Sequence, residues 1–177
     1  MIAALALPVT LTTPRQELVL RRARPEDLDA LMALLSDDPI SAARGDRAEQ
    51  DDLPAYGQAL VEVTEDPSND LLLVEDAAGA VIATMQLTRI PGMARRGSTR
   101  LLVEAVRVSS SLRSGGVGSA MMRWVTDVAA PATGSSIVQL TSDEARVDAH
   151  RFYERLGFVG SHRGFKYAVD AAPRRAR

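Results

Sequence analysis

The sequence predicts a single domain of mixed α/β class, in which a central mixed sheet is flanked by helices. Three observations point there. The apolar period switches between helical and strand spacing along the chain. The run RLLVEAVRV at residues 100–108 is nearly apolar throughout, which marks a strand covered on both faces. Gly115, Gly116 and Gly118 then separate that strand from an apolar stretch of helical period. A length of 177 residues fits one core.

In chain order, residues 1–16 show no clear periodicity and read as an N-terminal arm, loose or docked on a partner subunit. The domain proper is expected over 17–170, with 171–177 a flexible tail. LVLRRA at 18–23 reads as a strand. Pro25 opens a helix with Leu28, Leu31, Met32 and Leu35 at helical spacing, which Asp38 and Pro39 end. A loop around Arg44, Gly45 and Asp46 leads to a second helix from about Glu49 to Val63, with Leu53, Tyr56, Leu60 and Val63 on one face. DLLLVED and VIATMQLTRI are strand-like and separated by AAGA, so they form an antiparallel hairpin with Gly79 at the turn. The loop IPGMARRGS precedes the central strand at 100–108. A helix over 116–130 turns Val117, Ala120, Met121, Trp124 and Val128 inward. IVQLT at 137–141 is another buried strand, a helix runs to Leu156, and closing strands are expected at 158–159 and 165–169.

Composition narrows the function. A formal net charge of -2 and a pI near 5.7 argue against general affinity for nucleic acid or anionic membrane, since either partner favours a basic surface. Without cysteine there is no disulfide, thiolate metal site or cysteine nucleophile. His150 and His162, the only histidines, supply at most half of a typical zinc shell, so no metal is expected. The apolar opening MIAALALPV is short and lacks a basic flank, unlike an export signal or a membrane span, which leaves a cytoplasmic location as the expectation.

The glycines in SLRSGGVGSAMM sit between a buried strand and the first turn of a helix, and such a junction suits an anion. The first amides of a helix have no intrahelical acceptor, the helix dipole favours negative charge there, and glycines let a phosphate approach the backbone. Arg113 adds a permanent cation. A Walker loop is excluded because no lysine is near, and the spacing GxGxxG fails at Met121. A GxSxG elbow fails too, with Val117 and Met121 flanking Ser119 at the glycine positions. What remains is RxxGxG, from Arg113 to Gly118; the alternative is a tight strand-to-helix turn without a ligand.

Strand VEAVRV, loop RSGGVG, a helix, a strand and then AHRFYERLGF together resemble the GNAT superfamily of N-acetyltransferases, whose two signature motifs stand here in order. The resemblance covers residues 18–169 in element order, and 104–158 in specific motif identity. It implies a mostly antiparallel sheet with the strands at 100–108 and 137–141 parallel and splayed. It also implies acetyl-coenzyme A as cosubstrate. The coenzyme ligands it implies are the main chains of Val106, Arg107 and Val108 and those of Arg113, Ser114, Gly115, Gly116, Val117, Gly118 and Ser119.

Acetyl transfer to an amine poses two proton problems, because the amine must lose a proton before attack and the departing thiolate gains from receiving one. On the helix at 146–156, Ala149, Phe152, Tyr153 and Leu156 share a stripe, and Gly157 ends it. By spacing alone Tyr153 is a core aromatic with its hydroxyl at the rim. By resemblance it is the tyrosine that acts as general acid at the coenzyme sulfur. Glu104 is the one carboxylate in an apolar strand, so it is either ion-paired with Arg107 or Arg100, or faces a wet cleft as the amine's general base. Where the family often has an Asn, this chain has Arg146. A subgroup pattern, RxDAHxFY, is matched by Arg146, Asp148, Ala149, His150, Phe152 and Tyr153, of which Asp148 or His150 would help hold the site.

The expected reaction is acetylation of the primary amine of a small molecule by direct attack in a ternary complex. Arg95 and Arg96 are candidates to meet a carboxylate, phosphonate or phosphate on the acceptor, against the alternative of solvated charges. The rival readings are a protein N-terminal or lysine acetyltransferase and a coenzyme-binding regulatory module without turnover. The apolar arm is compatible with a homodimer.

Overall fold

Six strands make one sheet among the described residues of this computed structural model, which are 2–42, 45–46, 48–167 and 169. They are β1 (Val9–Thr12), β2 (Glu17–Arg22), β3 (Asn69–Glu75), β4 (Val81–Ile90), β5 (Arg100–Val108) and β6 (Ile137–Leu140), and they lie side by side in that order. Every neighbouring pair is antiparallel except β5 and β6, which run parallel. The β3–β4 hairpin turns where expected, with Gly79 at φ 80 and the Asp76 carboxylate accepting from the amides of Ala78 and Ala80. The chain forms two compact units, Met1–Leu140 and Thr141–Arg177.

In the first unit, register sorts the apolar residues onto two faces. Leu20 pairs with Val74, Leu72 with Met85 and Leu87 with Val103, so these side chains share a face, and all are buried. The opposite face carries Leu73, which packs with Ala23, Leu31 and Leu60 under α1 (Leu28–Ser36) and α2 (Leu53–Glu65). A single 3-10 turn leads into each helix, at Pro25–Asp27 and Gln50–Asp52. The start of α1 is fastened to the sheet by Arg21, whose guanidinium donates to both Asp27 oxygens at 2.7 Å and pairs with Glu75. That fork holds Asp27 below the usual carboxylate range.

The first 16 residues depart from the expected loose arm. Ile2 and Leu5 are buried, and Val9–Thr12 joins the sheet as β1, pairing from Val9 opposite Leu20 to Thr12 opposite Glu17. A four-residue strand on a sheet edge is too short to announce itself by alternation, and only Leu11 of it is buried. The connecting turn is pinned by Thr13, whose hydroxyl donates to the Gln16 carbonyl and accepts from the Gln16 amide.

Helix α3 (Val117–Trp124) packs against β5 and β1 and buries Val117, Met121, Met122 and Trp124. It continues through a π turn at Val125–Ala129 into Ala130–Ala132. The wider turn advances the buried stripe by one residue, so Val125 and Ala129 point inward and Val128, expected inside, is 49% exposed. Strand β6, expected to be buried, is half-buried because it is the last strand in the sheet order.

The second unit contains α4 (Val147–Arg155). It ends as the sequence indicates: Gly157 takes φ 90, and the Phe158 amide bonds back to the Tyr153 carbonyl. The closing strands expected at 158–159 and 165–169 do not form among the described residues. Phe158 is committed to the helix terminus, and Phe165, Tyr167 and Val169 keep their strand-like alternation while 82–90% exposed. Alternation defines a face but supplies no ladder partner. Residue 44 and the tail 171–177 lie outside the described residues.

Candidate active site

Strand β5 is paired with β6 only from Arg100 to Val103, although β5 itself continues to Val108. Beyond Val103 its β6-facing edge has no strand beside it among the described residues. A bulge lies at the same place. Thr84 pairs with Arg107 but Gln86 with Glu104, so Ala105 and Val106 stand opposite Met85 alone, and Ala105 takes φ 49. The result is a wedge whose wall is the main chain of residues 104–108.

Glu104 stands at the apex of this wedge, next to the last paired residue Val103, and is exposed, contrary to the burial expected of a strand covered on both faces. The early end of β6 and the bulge at Ala105 leave its position open to water. Arg100, one candidate ion-pair partner, donates instead to Gln139 at 3.1 Å. Arg107 Nη1 donates to the carbonyl of Val106 at 2.9 Å.

The chain then runs from Val108 through a 3-10 turn at Ser110–Leu112 into the glycine loop. Ser114 and Gly116 both take positive φ, 63 and 90, and Gly116 is the N-cap of α3. The first rung of that helix is the Ala120 amide on the Gly116 carbonyl at 2.9 Å. The amides of Val117, Gly118 and Ser119 therefore lie ahead of any intrahelical acceptor, which is the arrangement an anion needs. Gly115 also has a contact reason: a Cβ there would stand 3.0 Å from the Leu112 carbonyl oxygen.

Arg113 serves first as a brace. Its Nη2 donates to the Asp37 carbonyl at 2.8 Å and its Nε to the Val108 carbonyl at 3.4 Å. The Asp37 carboxylate accepts from the Ser110 amide at 2.6 Å, which lowers its pKa. The end of α1 thus holds the loop. Sequence offered no sign of this pairing across 73 positions. The second contributor it missed is the turn after β1, where the TTPRQ signal was present: Pro14 Cδ lies 2.9 Å from where a Cβ on Gly116 would be.

Tyr153 lies in the second unit, half-buried, with edge-on ring contacts to Phe152 at 5.1 Å and Phe158 at 5.8 Å. The two residues considered as helpers are engaged locally: His150 Nε2 lies 2.8 Å from the Asp143 carbonyl, and Asp148 lies 3.6 Å from Arg151. The first unit brings Glu104, Val106–Val108 and Arg113–Ser119 together along one continuous path. Among the described residues no group of three His, Asp or Glu side chains is placed to hold a metal, and no helix is long and apolar enough to cross a membrane.

A sheet opened between two parallel strands, leading to a helix with free amides, has the backbone groups that suit an extended, phosphate-bearing ligand. The Acetyltransferase (GNAT) family profile matches residues 28–158, and the chain belongs to that family. A solved structure described as a transcriptional regulator from Bacillus halodurans C-125 is 34% identical, with a TM-score of 0.80 over 86% of this chain and 99% of that one. A Trypanosoma brucei acetyltransferase is 21% identical, with a TM-score of 0.65 over 86% and 99% of the two chains. A glucosamine-6-phosphate N-acetyltransferase from Arabidopsis thaliana is 17% identical, with a TM-score of 0.67 over 86% and 99%. The last two share the fold. No functionally curated protein matches the sequence.

The wedge and loop fit the family's cosubstrate. A half-strand edge without a strand neighbour is complementary to the amides of a pantetheine arm, and three free helix amides are complementary to a diphosphate.

Proposed function

We propose that this protein is an acetyl-coenzyme A-dependent N-acetyltransferase acting on the primary amine of a small molecule, by direct attack within a ternary complex. The observation that carries the reading is the open edge of β5 running into the free amides of α3. Bound there, the coenzyme supplies an acetyl thioester. The main chains of Val106, Arg107 and Val108 line the arm, the amides of Val117, Gly118 and Ser119 take the diphosphate, and Arg113 fixes the loop. Glu104, exposed at the wedge, takes the proton of an amine whose ordinary pKa is about 10. Tyr153 donates a proton to the departing sulfur. Each of these two groups is assigned a contribution of roughly 10²–10⁴ in rate.

The small-molecule acceptor is supported by Arg95 and Arg96, an exposed pair in left-handed conformation, φ 53 and 60, in the loop before β5. They suit an acceptor that carries a carboxylate or phosphate. A cytoplasmic setting belongs to the same proposal. A regulatory module without turnover is the second reading, favoured by the 34% identity to a protein described as a transcriptional regulator.

Release of free thiol from acetyl-coenzyme A, measured across small amines, amino acids, aminophosphonates and peptides, tests the reading. Turnover stimulated by one small-molecule class, and lowered about 10²-fold or more in Tyr153→Phe and Glu104→Gln with coenzyme affinity retained, is the expected result. Turnover on peptides alone makes the protein a protein acetyltransferase. Coenzyme binding without turnover on any acceptor makes it a regulatory module.

A further inference from the structure

We infer that the turn after β1 belongs to the coenzyme site, and that Arg15 on that turn, with Arg123 on the flank of α3, holds the ribose 3′-phosphate. The inference rests on the coenzyme-binding reading above and goes beyond it by assigning a separate anion subsite to residues outside the family's motif.

The turn is a fixed element. Thr13 is buried, and its hydroxyl closes the turn by bonding both the amide and the carbonyl of Gln16 at 3.1 and 2.7 Å. Pro14 then abuts Gly116, the N-cap of α3, so the turn is set against the phosphate loop. Arg15 Nη1 reaches to 3.9 Å from the Cβ position of Gly115. A cavity of about 340 Å³ opens between β1 and α3, lined by Thr10, Leu11, Pro14, Gly116, Ser119 and Arg123, among others.

Gly116, Ser119, Ala120 and Arg123 are spaced as one helix face, and the small residues on it leave the space that Arg123 overlooks. Arg123 is seven residues beyond the N-cap, about 10 Å along the axis. It is therefore too far down the helix to share an anion held by the first amides, and suits one displaced from them by a sugar. Among the described residues neither Arg15 nor Arg123 pairs with a carboxylate, and both are exposed. Arg15 beside the Gly115 turn and Arg123 at the cavity are two unneutralised guanidinium groups that flank the diphosphate cradle, and together they favour a further phosphate, which coenzyme A carries on its ribose.

Calorimetric titration of the full chain with coenzyme A and with 3′-dephospho-coenzyme A provides the test. Wild type is expected to bind coenzyme A roughly tenfold or more tightly than the dephospho form, the order of a charged hydrogen bond. Arg15→Ala and Arg123→Ala should each shrink that preference while leaving affinity for the dephospho form unchanged, and Arg15→Lys should retain part of it. Both residues are exposed, so truncation leaves the fold intact. Equal binding of the two ligands by wild type, or equal weakening of both in Arg15→Ala, overturns the inference and leaves the coenzyme site standing. Failure of wild type to bind either ligand overturns the site and the inference together.

Discussion

The carboxylate of Asp37, at the end of α1, accepts a 2.6 Å hydrogen bond from the amide of Ser110, while its own carbonyl accepts a 2.8 Å bond from Arg113. One residue on the far side of the sequence thus holds both ends of the turn that feeds the glycine loop. Asp37→Ala should weaken acetyl-coenzyme A binding about 3–10-fold, the value of one such bond, with little change in Tm. Titration calorimetry and a melting curve decide this, and an unchanged dissociation constant removes Asp37 from the site. The Ser110 bonds lower the pKa of Asp37, so its bracing is present above the ordinary carboxylate range and is lost as pH falls through its lowered value.

Gly116 combines φ 90 with Pro14 Cδ at 2.9 Å from its Cβ position. Gly116→Ala meets both penalties. About 1–2 kcal/mol comes from the left-handed backbone alone, and the contact adds to it, so Tm should fall by about 3–8 °C. Pro14→Gly in the same chain should restore the contact part and leave the backbone part. A Gly116→Ala variant that melts with wild type contradicts the geometry.

Ala105 holds the bulge at φ 49, where a Cβ is unfavourable. Ala105→Gly should gain up to about 1 kcal/mol in urea unfolding, whereas Ala105→Val should lose about 1–2 kcal/mol. If the two variants are equally stable, the bulge is not strained as described.

Much of this architecture could be read in advance, and the misreadings share a physical origin. Gly79 and the flanking alternation specify the β3–β4 hairpin because turn and pattern are both local. RxxGxG and the FY pair disclose the glycine turn ahead of α3 and the course of α4 for the same reason. Val128 leaves the inward stripe at a π turn, which leaves no trace in residue identity. Glu104 looked buried because RLLVEAVRV reports the apolar character of β5 but not where its neighbour stops, at Leu140. Asp37 and the turn at Thr13–Gln16 acquire their roles only when distant segments meet, which periodicity within a window does not capture.

Asp27 is an acid-sensitive point of the first unit. Its pKa is held down chiefly by the Arg21 hydrogen bond, so its contribution is full above the ordinary carboxylate value of about 3.9 and is lost as pH falls through the lowered one. Asp70 runs the other way: burial raises its pKa, and protonation on acidification relieves that penalty. Asp27→Ala should cost about 1.5–3 kcal/mol at neutral pH, because it removes the main partner of a guanidinium only 12% exposed while Glu75 still pairs with it. Urea unfolding from pH 7 downward should show wild type losing stability below about pH 4 more steeply than Asp27→Asn. Parallel profiles would place the acid-sensitive group elsewhere.

The half of β5 that outruns β6 is also an adhesive. Its edge, without a strand neighbour among the described residues, is the kind of template on which a second polypeptide can lay a strand, and under the proposed function a pantetheine arm would cover it as a surrogate strand. On that proposal cosubstrate supply would govern colloidal behaviour too: the ligand-free protein should clump sooner on concentration or warming, and coenzyme at saturating level should delay it.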